Sequence, residues 1–268
     1  VKGRLREPSV ALLEAAGLGP EQPGERALAF PCRNAPVDVL LVRAADVPEY
    51  VQDGVVDCGI TGMDLVAERG ANVRELLKLG FGACRLEVAV PEESGYEEIA
   101  QLEGASVATV YPRLTRELLP FDVELVDVTG SVELAPRLGL ADAIVDLVSS
   151  GNTMRTNGLR SLGSLFSSEA ALFGREGAQA DALVSMLSTV VSARAHRYLM
   201  LNVSEENLAE VSSIVSGARA PSVVPLAESG MVALHALVPA AEIWKLLPLL
   251  EAAGASSILV VPVERMVS

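Results

Sequence analysis

DVPEYVQDGVVDCGITGMDLVAERG (Asp46–Gly70) reads as a helix, a short buried strand and a second helix. Asp46 offers a carboxylate N-cap, Pro48 falls in the first turn and Glu49 takes the capping-box position, so a helix starts here. Gly54 is placed to end it. Val55–Ile60 is an apolar run too short for a helix and reads as a strand, and Thr61–Asp64 is the turn into a helix that closes near Gly70. Short strands alternating with helices predict an α/β architecture of parallel strands joined by crossover helices.

The same pattern extends along the chain. A second unit starts after Leu86–Val90, with an acidic bend over residues 91–96. Strands are expected at Ser106–Val110, Val123–Asp127 and Ala143–Val148, and the apolar run Leu162–Phe173 is expected to cross back into the first unit's sheet. Two such lobes leave a cleft, where the carboxyl ends of strands bind ligands. From about Asp181 the pattern changes: Leu183, Met186, Leu187 and Val190 recur at helical spacing and give a connecting helix. Strand 198–203, helix 205–215, strands 222–226 and 231–237, helix 241–252 and strand 258–263 then follow the β-α-β-β-α-β order of a ferredoxin-like unit. Pro248 is out of place inside the second of those helices.

Composition narrows the function classes. The 268 residues can hold several cores. They contain no uninterrupted apolar run of about 18, the minimum for a membrane helix. No basic segment followed by an apolar stretch opens the sequence, so a cytoplasmic location is expected. The net charge of −14 argues against binding to nucleic acid or an anionic membrane. Small anions remain possible ligands, because local cations and backbone amides hold them whatever the total charge. The three cysteines, Cys32, Cys58 and Cys84, form no C-x-x-C pair and read as buried small hydrophobes. His196 and His235 each read as a helix-end or core histidine rather than a catalytic base or ligand.

The chemistry concentrates in GSVELAPRLGLADAIVDLVSSGNT (Gly130–Thr153): a strand, a glycine turn, then a helix start. Ser149, Ser150, Gly151, Asn152 and Thr153 are small, hydroxyl-rich and placed where backbone N–H groups can surround a phosphate. The same residues also read as an ordinary capped turn. Asp146, at the strand's carboxyl end, is placed to accept hydrogen bonds from ribose hydroxyls.

The longer run GSVELAPRLGLADAIVDLVSSGNTMRTNGL (Gly130–Leu159) resembles the phosphoribosyl-pyrophosphate-binding segment of the ATP phosphoribosyltransferases, which open histidine biosynthesis. KGRL (Lys2–Leu5), DGVVDCGITGMDLV (Asp53–Val66), LGFGACRL (Leu79–Leu86) and ATVYP (Ala108–Pro112) match the same family in the same order. YLMLNV (Tyr198–Val203), APSVVPL (Ala220–Leu226) and GASSILVVPVE (Gly254–Glu264) resemble the regulatory domain of its long form.

The resemblance implies a two-lobed, periplasmic-binding-protein-like catalytic region with a C-terminal ferredoxin-like (ACT-like) domain. Lobe I is expected at 1–86 and 161–194, lobe II at 87–160 and the regulatory domain at 195–268. It further implies transfer of a phosphoribosyl group to N1 of ATP, with histidine as feedback inhibitor and a homo-oligomer between dimer and hexamer. Ser149–Thr153 and Asp146 would hold phosphoribosyl pyrophosphate. Asp146, Glu133 and Arg85 would serve catalysis, and Glu133 with Asp146 would face Mg²⁺ held mostly by phosphates. Lys2, Arg4, Arg43, Asp57 and Tyr111 would border ATP; Asn202, Ser222 and Ser257 would line the inhibitor pocket. Family members often carry an acid and a threonine where Asn202 and Ser222 stand, so a weakened hold on the inhibitor's ammonium group is expected.

The family opens on an apolar strand with a proline before the lysine, so either residues precede Val1 or the first sheet lacks that strand. Rival readings are a non-catalytic two-lobed solute-binding protein and an inactive regulatory paralogue. Read without the family, Arg43 and Arg85 would be surface ion-pair residues, Asp57 a turn acceptor and Tyr111 a packing residue.

Overall fold

The computed structural model describes residues 4–19, 28–215 and 220–267. The chain divides into two compact units, one of residues 1–11, 21–32 and 36–181, the other of 12–20, 33–35 and 182–268.

The N-terminal part supplies helix α1 (Arg6–Ala15) and a small hairpin of β1 (Ala29–Pro31) and β2 (Asp38–Leu40). Helix α2 (Val47–Gln52) follows a 3-10 turn, Ala44–Asp46. Asp46 does not cap it through its carboxylate: its backbone is already helical (φ −93°, ψ −18°), whereas a side-chain N-cap works from extended backbone. After Gly54 (φ 72°) the chain folds back, and the N–H groups of Val55 and Val56 both donate to the Tyr50 carbonyl. That return delays strand β3 to Cys58–Gly62 and leaves Val55 exposed. Helix α3 (Met63–Arg69) ends as expected at Gly70, whose φ of 60° suits a residue without Cβ.

Two larger sheets share the first unit. In one, β3 and β4 (Arg74–Lys78) flank β10 (Ala170–Gly174), antiparallel to both. The other has the order β7-β6-β8-β5-β9, built from β5 (Cys84–Pro91), β6 (Ser106–Thr109), β7 (Glu124–Asp127), β8 (Ala143–Val148) and β9 (Leu159–Ser168). Only β7, β6 and β8 run parallel, so both sheets are mixed or antiparallel rather than parallel throughout. The run expected as one strand over 162–173 is two. β9 pairs with β5, and beyond Glu169 the chain changes sheet as β10.

Strand register sorts the five-stranded sheet into two faces. Leu86, Val88 and Val90 of β5 and Val145 of β8 pack with Val107, Leu102 and residues of α4 (Pro112–Leu118). Ala89, Ile144, Val148 and Ala108 turn the other way, under Val132, Ala135, Met154 and Leu159. Leu86 is fully buried. Leu86→Ala should therefore destabilise the protein by about 2–5 kcal/mol, the usual cost of a core leucine truncation; chemical denaturation checks it, and a loss under about 1 kcal/mol would show that the core collapses around the gap.

The second unit contains the connecting helix α6 (Asp181–Arg194) and then β11 (His196–Ser204), α7 (Leu208–Ile214), β12 (Ser222–Pro225), β13 (Met231–Pro239), α8 (Ile243–Ala252) and β14 (Ser256–Pro262). The sheet order β12-β13-β11-β14, antiparallel at every pairing, is that of a ferredoxin-like fold. Leu199, Leu201, Val203, Leu234 and Val238 pack on one face with Val211 and Leu250 of the two helices. Pro248 lies inside α8, and both it and Trp244, whose carbonyl loses its helical partner, are exposed. Water can satisfy that carbonyl, which explains why the helix continues.

Candidate active site

The carboxyl ends of the three parallel strands β6, β7 and β8 bring together most of the predicted residues. Asp146, half-buried near the end of β8, accepts the Leu147 N–H at 2.8 Å. Burial pushes its carboxyl above the ordinary aspartate range; the Leu147 N–H opposes this, neighbouring Glu133 adds to it, and Arg4 opposes it. Glu133 sits in a 3-10 turn (Val132–Leu134) after β7. Ser131 before it is in the left-handed region (φ 51°), a conformation that costs of order 1 kcal/mol or more in a residue other than glycine and clusters at functional sites.

Beyond β8, Ser149, Ser150 and Gly151 lead into α5 (Asn152–Thr156), a single turn. Gly151 has φ 73°, so a side chain here would strain the turn. Among the described residues, the backbone N–H groups of Ser149 to Thr153 find no acceptor. Those are donors left over at a helix start, and a phosphate can take them.

Two cavities flank this loop. One, of about 460 Å³, is bordered by Ser150, Gly151, Arg155, Arg160, Arg85 and Glu92. The other, of about 430 Å³, is bordered by Ser149, Cys84, Arg85, Ser168, Lys78 and Met63. Arg85 stands on both. Its Nη2 and Nε lie 2.8 and 2.9 Å from Oε1 of Glu87, whose side chain is only 7% exposed. The ion pair foreseen for Arg85 outside the family reading is thus present, though within the site's wall. Arg4 is also at the site, its Nη2 donating to Cys84 Sγ at 3.0 Å. Cys84 is therefore more than a small hydrophobe.

Tyr111 lies at the end of β6 but is buried, its hydroxyl donating to Asp64 Oδ2 at 3.0 Å. The Ser168 hydroxyl donates to Asp64 Oδ1 at 2.5 Å and accepts the Asp64 N–H at 3.0 Å. Burial, then the Asp64 charge and hydrogen bond, push the Tyr111 phenol well above its ordinary range, keeping it a neutral donor. Sequence reasoning missed Asp64, taking it as a turn residue before α3. An acid that is 1% exposed has no local signature, because its two hydroxyl donors come from β9 and from beyond β6.

Other predicted residues are not gathered here. Lys2 lies outside the described residues. Arg43 is exposed and precedes the turn whose Ala44 carbonyl accepts the Thr61 hydroxyl at 2.7 Å. Asp57 precedes β3 at the end opposite Asp64, 78% exposed, with Arg175 Nη2 3.9 Å away. In the second unit, Asn202 on β11 and Ser222 on β12 share the sheet face away from the helices, where Ser222 opposes His235. Ser257, on β14, has a φ of 50° beside a register shift in the β11–β14 pairing. His235 Nδ1 lies 3.1 Å from the Tyr198 hydroxyl, and His196 Nδ1 lies 2.7 Å from the Ser192 carbonyl.

A family model described as ATP phosphoribosyltransferase matches residues 43–193, and one described as HisG, C-terminal domain, matches residues 193–265. The family match gives the class of protein, a transferase, and the fold is a mixed α/β architecture with a ferredoxin-like C-terminal domain. The ATP phosphoribosyltransferase of Halobacterium salinarum is 41% identical over 274 residues, spanning 99% of this chain and 97% of that protein. That of Methanosarcina acetivorans is 40% identical over 279 residues, spanning 99% and 96%. A solved ATP phosphoribosyl transferase (HisG:HisZ) complex from Thermotoga maritima is 26% identical with a TM-score of 0.62, covering 71% of this chain and 96% of that one. The chain belongs to the ATP phosphoribosyltransferase family, the enzymes of the first step of histidine biosynthesis.

Proposed function

We propose that this chain joins N1 of the ATP adenine to C1 of 5-phosphoribosyl 1-pyrophosphate. The N1–C1 bond forms as the bond from C1 to the pyrophosphate oxygen breaks, and that oxygen leaves with the electron pair. No protein nucleophile is required. The protein's tasks are to align N1 with C1, to stabilise positive charge on the sugar and to receive the leaving group.

The observation that carries this reading is the loop Ser149–Thr153, its unclaimed amides beside the half-buried carboxylates of Asp146 and Glu133. The loop holds the 5-phosphate, and Asp146 and Glu133 face the ribose, where their negative charge opposes the charge developing at C1. Arg85 and Arg4 attract the pyrophosphate and triphosphate groups. Tyr111 and Arg43 border the nucleotide, Tyr111 held in place by Asp64; Asp57 and Lys2 are assigned to ATP on their family motifs alone.

Two carboxylates with no further His, Cys, Asp or Glu ligands among the described residues suit Mg²⁺, which takes one or two protein carboxylates and completes its shell with phosphates and water. Glu133 and Asp146 would hold it, and the ion would supply charge neutralisation of the pyrophosphate. Incubation with ATP, phosphoribosyl pyrophosphate and Mg²⁺ should release pyrophosphate and give the absorbance of the N1 adduct. Absence of both would leave the solute-binding or inactive-paralogue reading.

The second unit is assigned feedback inhibition by histidine through Asn202, Ser222 and Ser257. Deleting residues 195–268 should abolish that inhibition while activity remains measurable; inhibition persisting in the truncated enzyme would place the effector elsewhere. A homo-oligomer, dimer to hexamer, is part of the same proposal. A cytoplasmic location is consistent with the absence, among the described residues, of any helix long and apolar enough to cross a membrane.

A further inference from the structure

The cavity on the Ser150–Gly151 side of the loop is bordered by three arginines, and two are already engaged. Arg85 is held through Nε and Nη2 by Glu87. Arg160 gives Nη2 to the backbone carbonyls of Ser94 and Tyr96. Arg155 differs. It is exposed, has no carboxylate partner among the described residues, and is folded back along α5 so that Nη2 donates to Asn152 Oδ1 at 2.6 Å. A Cβ built on Gly151 would lie 3.4 Å from its Nη1, so the guanidinium stands directly against the loop.

The spacing explains the pose: Asn152 and Gly151 lie three and four residues before Arg155, the positions a side chain on a helical turn covers. Asn152 is a neutral acceptor, so it orients the guanidinium without cancelling its charge. The remaining N–H donors of the planar fork are open to an oxyanion, whose charge they match bidentately. Glu92, on the same cavity, is the carboxylate an anion would have to avoid, and Glu87 is neutralised by Arg85.

We propose that Arg155 is a binding and specificity residue for the phosphorylated sugar: its guanidinium closes over the 5-phosphate seated on the Ser149–Thr153 amides and selects a phosphorylated ribosyl donor. This rests on the loop being the 5-phosphate site. The loop alone offers neutral donors, and Arg155 adds the full positive charge that a dianion demands.

The test uses the full chain with R155Q, R155K and Thr153→Phe in parallel, measuring steady-state kinetics and the Kd of ribose 5-phosphate by calorimetry. R155Q should raise both the KM for phosphoribosyl pyrophosphate and the ribose 5-phosphate Kd by about thirtyfold, with kcat and the KM for ATP within about twofold of wild type. R155K should recover part of the loss, keeping charge without the fork. Suppose R155Q leaves both sugar-phosphate constants unchanged while Thr153→Phe raises them: the loop reading stands and Arg155 has no such role. Unchanged constants in Thr153→Phe would mean the loop is not the phosphate site, and the proposal falls with it. An equal rise in the KM for ATP in R155Q would mark a general distortion and likewise overturn it.

Discussion

Asp146→Asn should lower kcat/KM by about a hundredfold to a thousandfold, the range for removing one preorganised electrostatic group from a site where charge develops. The side chain keeps its shape and can still accept the Leu147 N–H, so the loss isolates the negative charge. The same substitution should stabilise the protein above mildly acidic pH. Burial, together with Glu133, holds the Asp146 carboxyl above its ordinary range, although the Leu147 N–H and Arg4 oppose them. A carboxyl whose folded-state pKa is raised contributes stability fully below the unfolded value and loses it as pH rises through the folded value. Wild type therefore carries a penalty at neutral pH that Asn lacks, and the two proteins should converge in strongly acidic solution. Melting temperatures across pH, read beside kcat/KM, check both halves. In wild type the acidic limb of kcat/KM should lie above the value for a free aspartate, and Asp146→Asn should lack it. Lower activity together with lower stability at neutral pH would show a structural role instead.

Thr153→Phe should raise the KM for phosphoribosyl pyrophosphate by about a hundredfold while changing the KM for ATP by about threefold or less, the loss of one or two hydrogen bonds to a charged group. Thr153 is exposed in the first turn of α5, and its carbonyl accepts the Asn157 side chain at 2.8 Å, which fixes the backbone of the turn. A phenyl ring there would fill the space proposed for the phosphate and remove a hydroxyl donor, and because Thr153 is exposed it would perturb no buried core. Steady-state kinetics with each substrate varied in turn decide it. Equal rises in both KM values would contradict the assignment of the loop to the sugar.

Legibility in the sequence followed the range of the interactions. The α3 stop at Gly70, the strand at Ala143–Val148 with its loop and turn, and the six elements of the ferredoxin-like unit were all readable, because periodicity and glycine punctuation are local. Strand direction was not. Whether β5 lies parallel or antiparallel to β8, and whether 159–174 is one strand or two in different sheets, depends on partners far along the chain. The Asp46 cap failed for a related reason: a 3-10 turn had already committed its backbone.

The order of motifs in the sequence by itself determined the family and, through it, the chemistry, since Asp146, Ser149 to Thr153 and Glu133 lie in one continuous segment. Only the tertiary structure decided how the remaining groups stand around that segment. It held Tyr111 on a buried Asp64, paired Arg85 with Glu87 and left Arg155 without a carboxylate partner among the described residues. Charges acquire their roles from neighbours brought within a few ångströms by folding, and no spacing along the chain records which neighbours those will be.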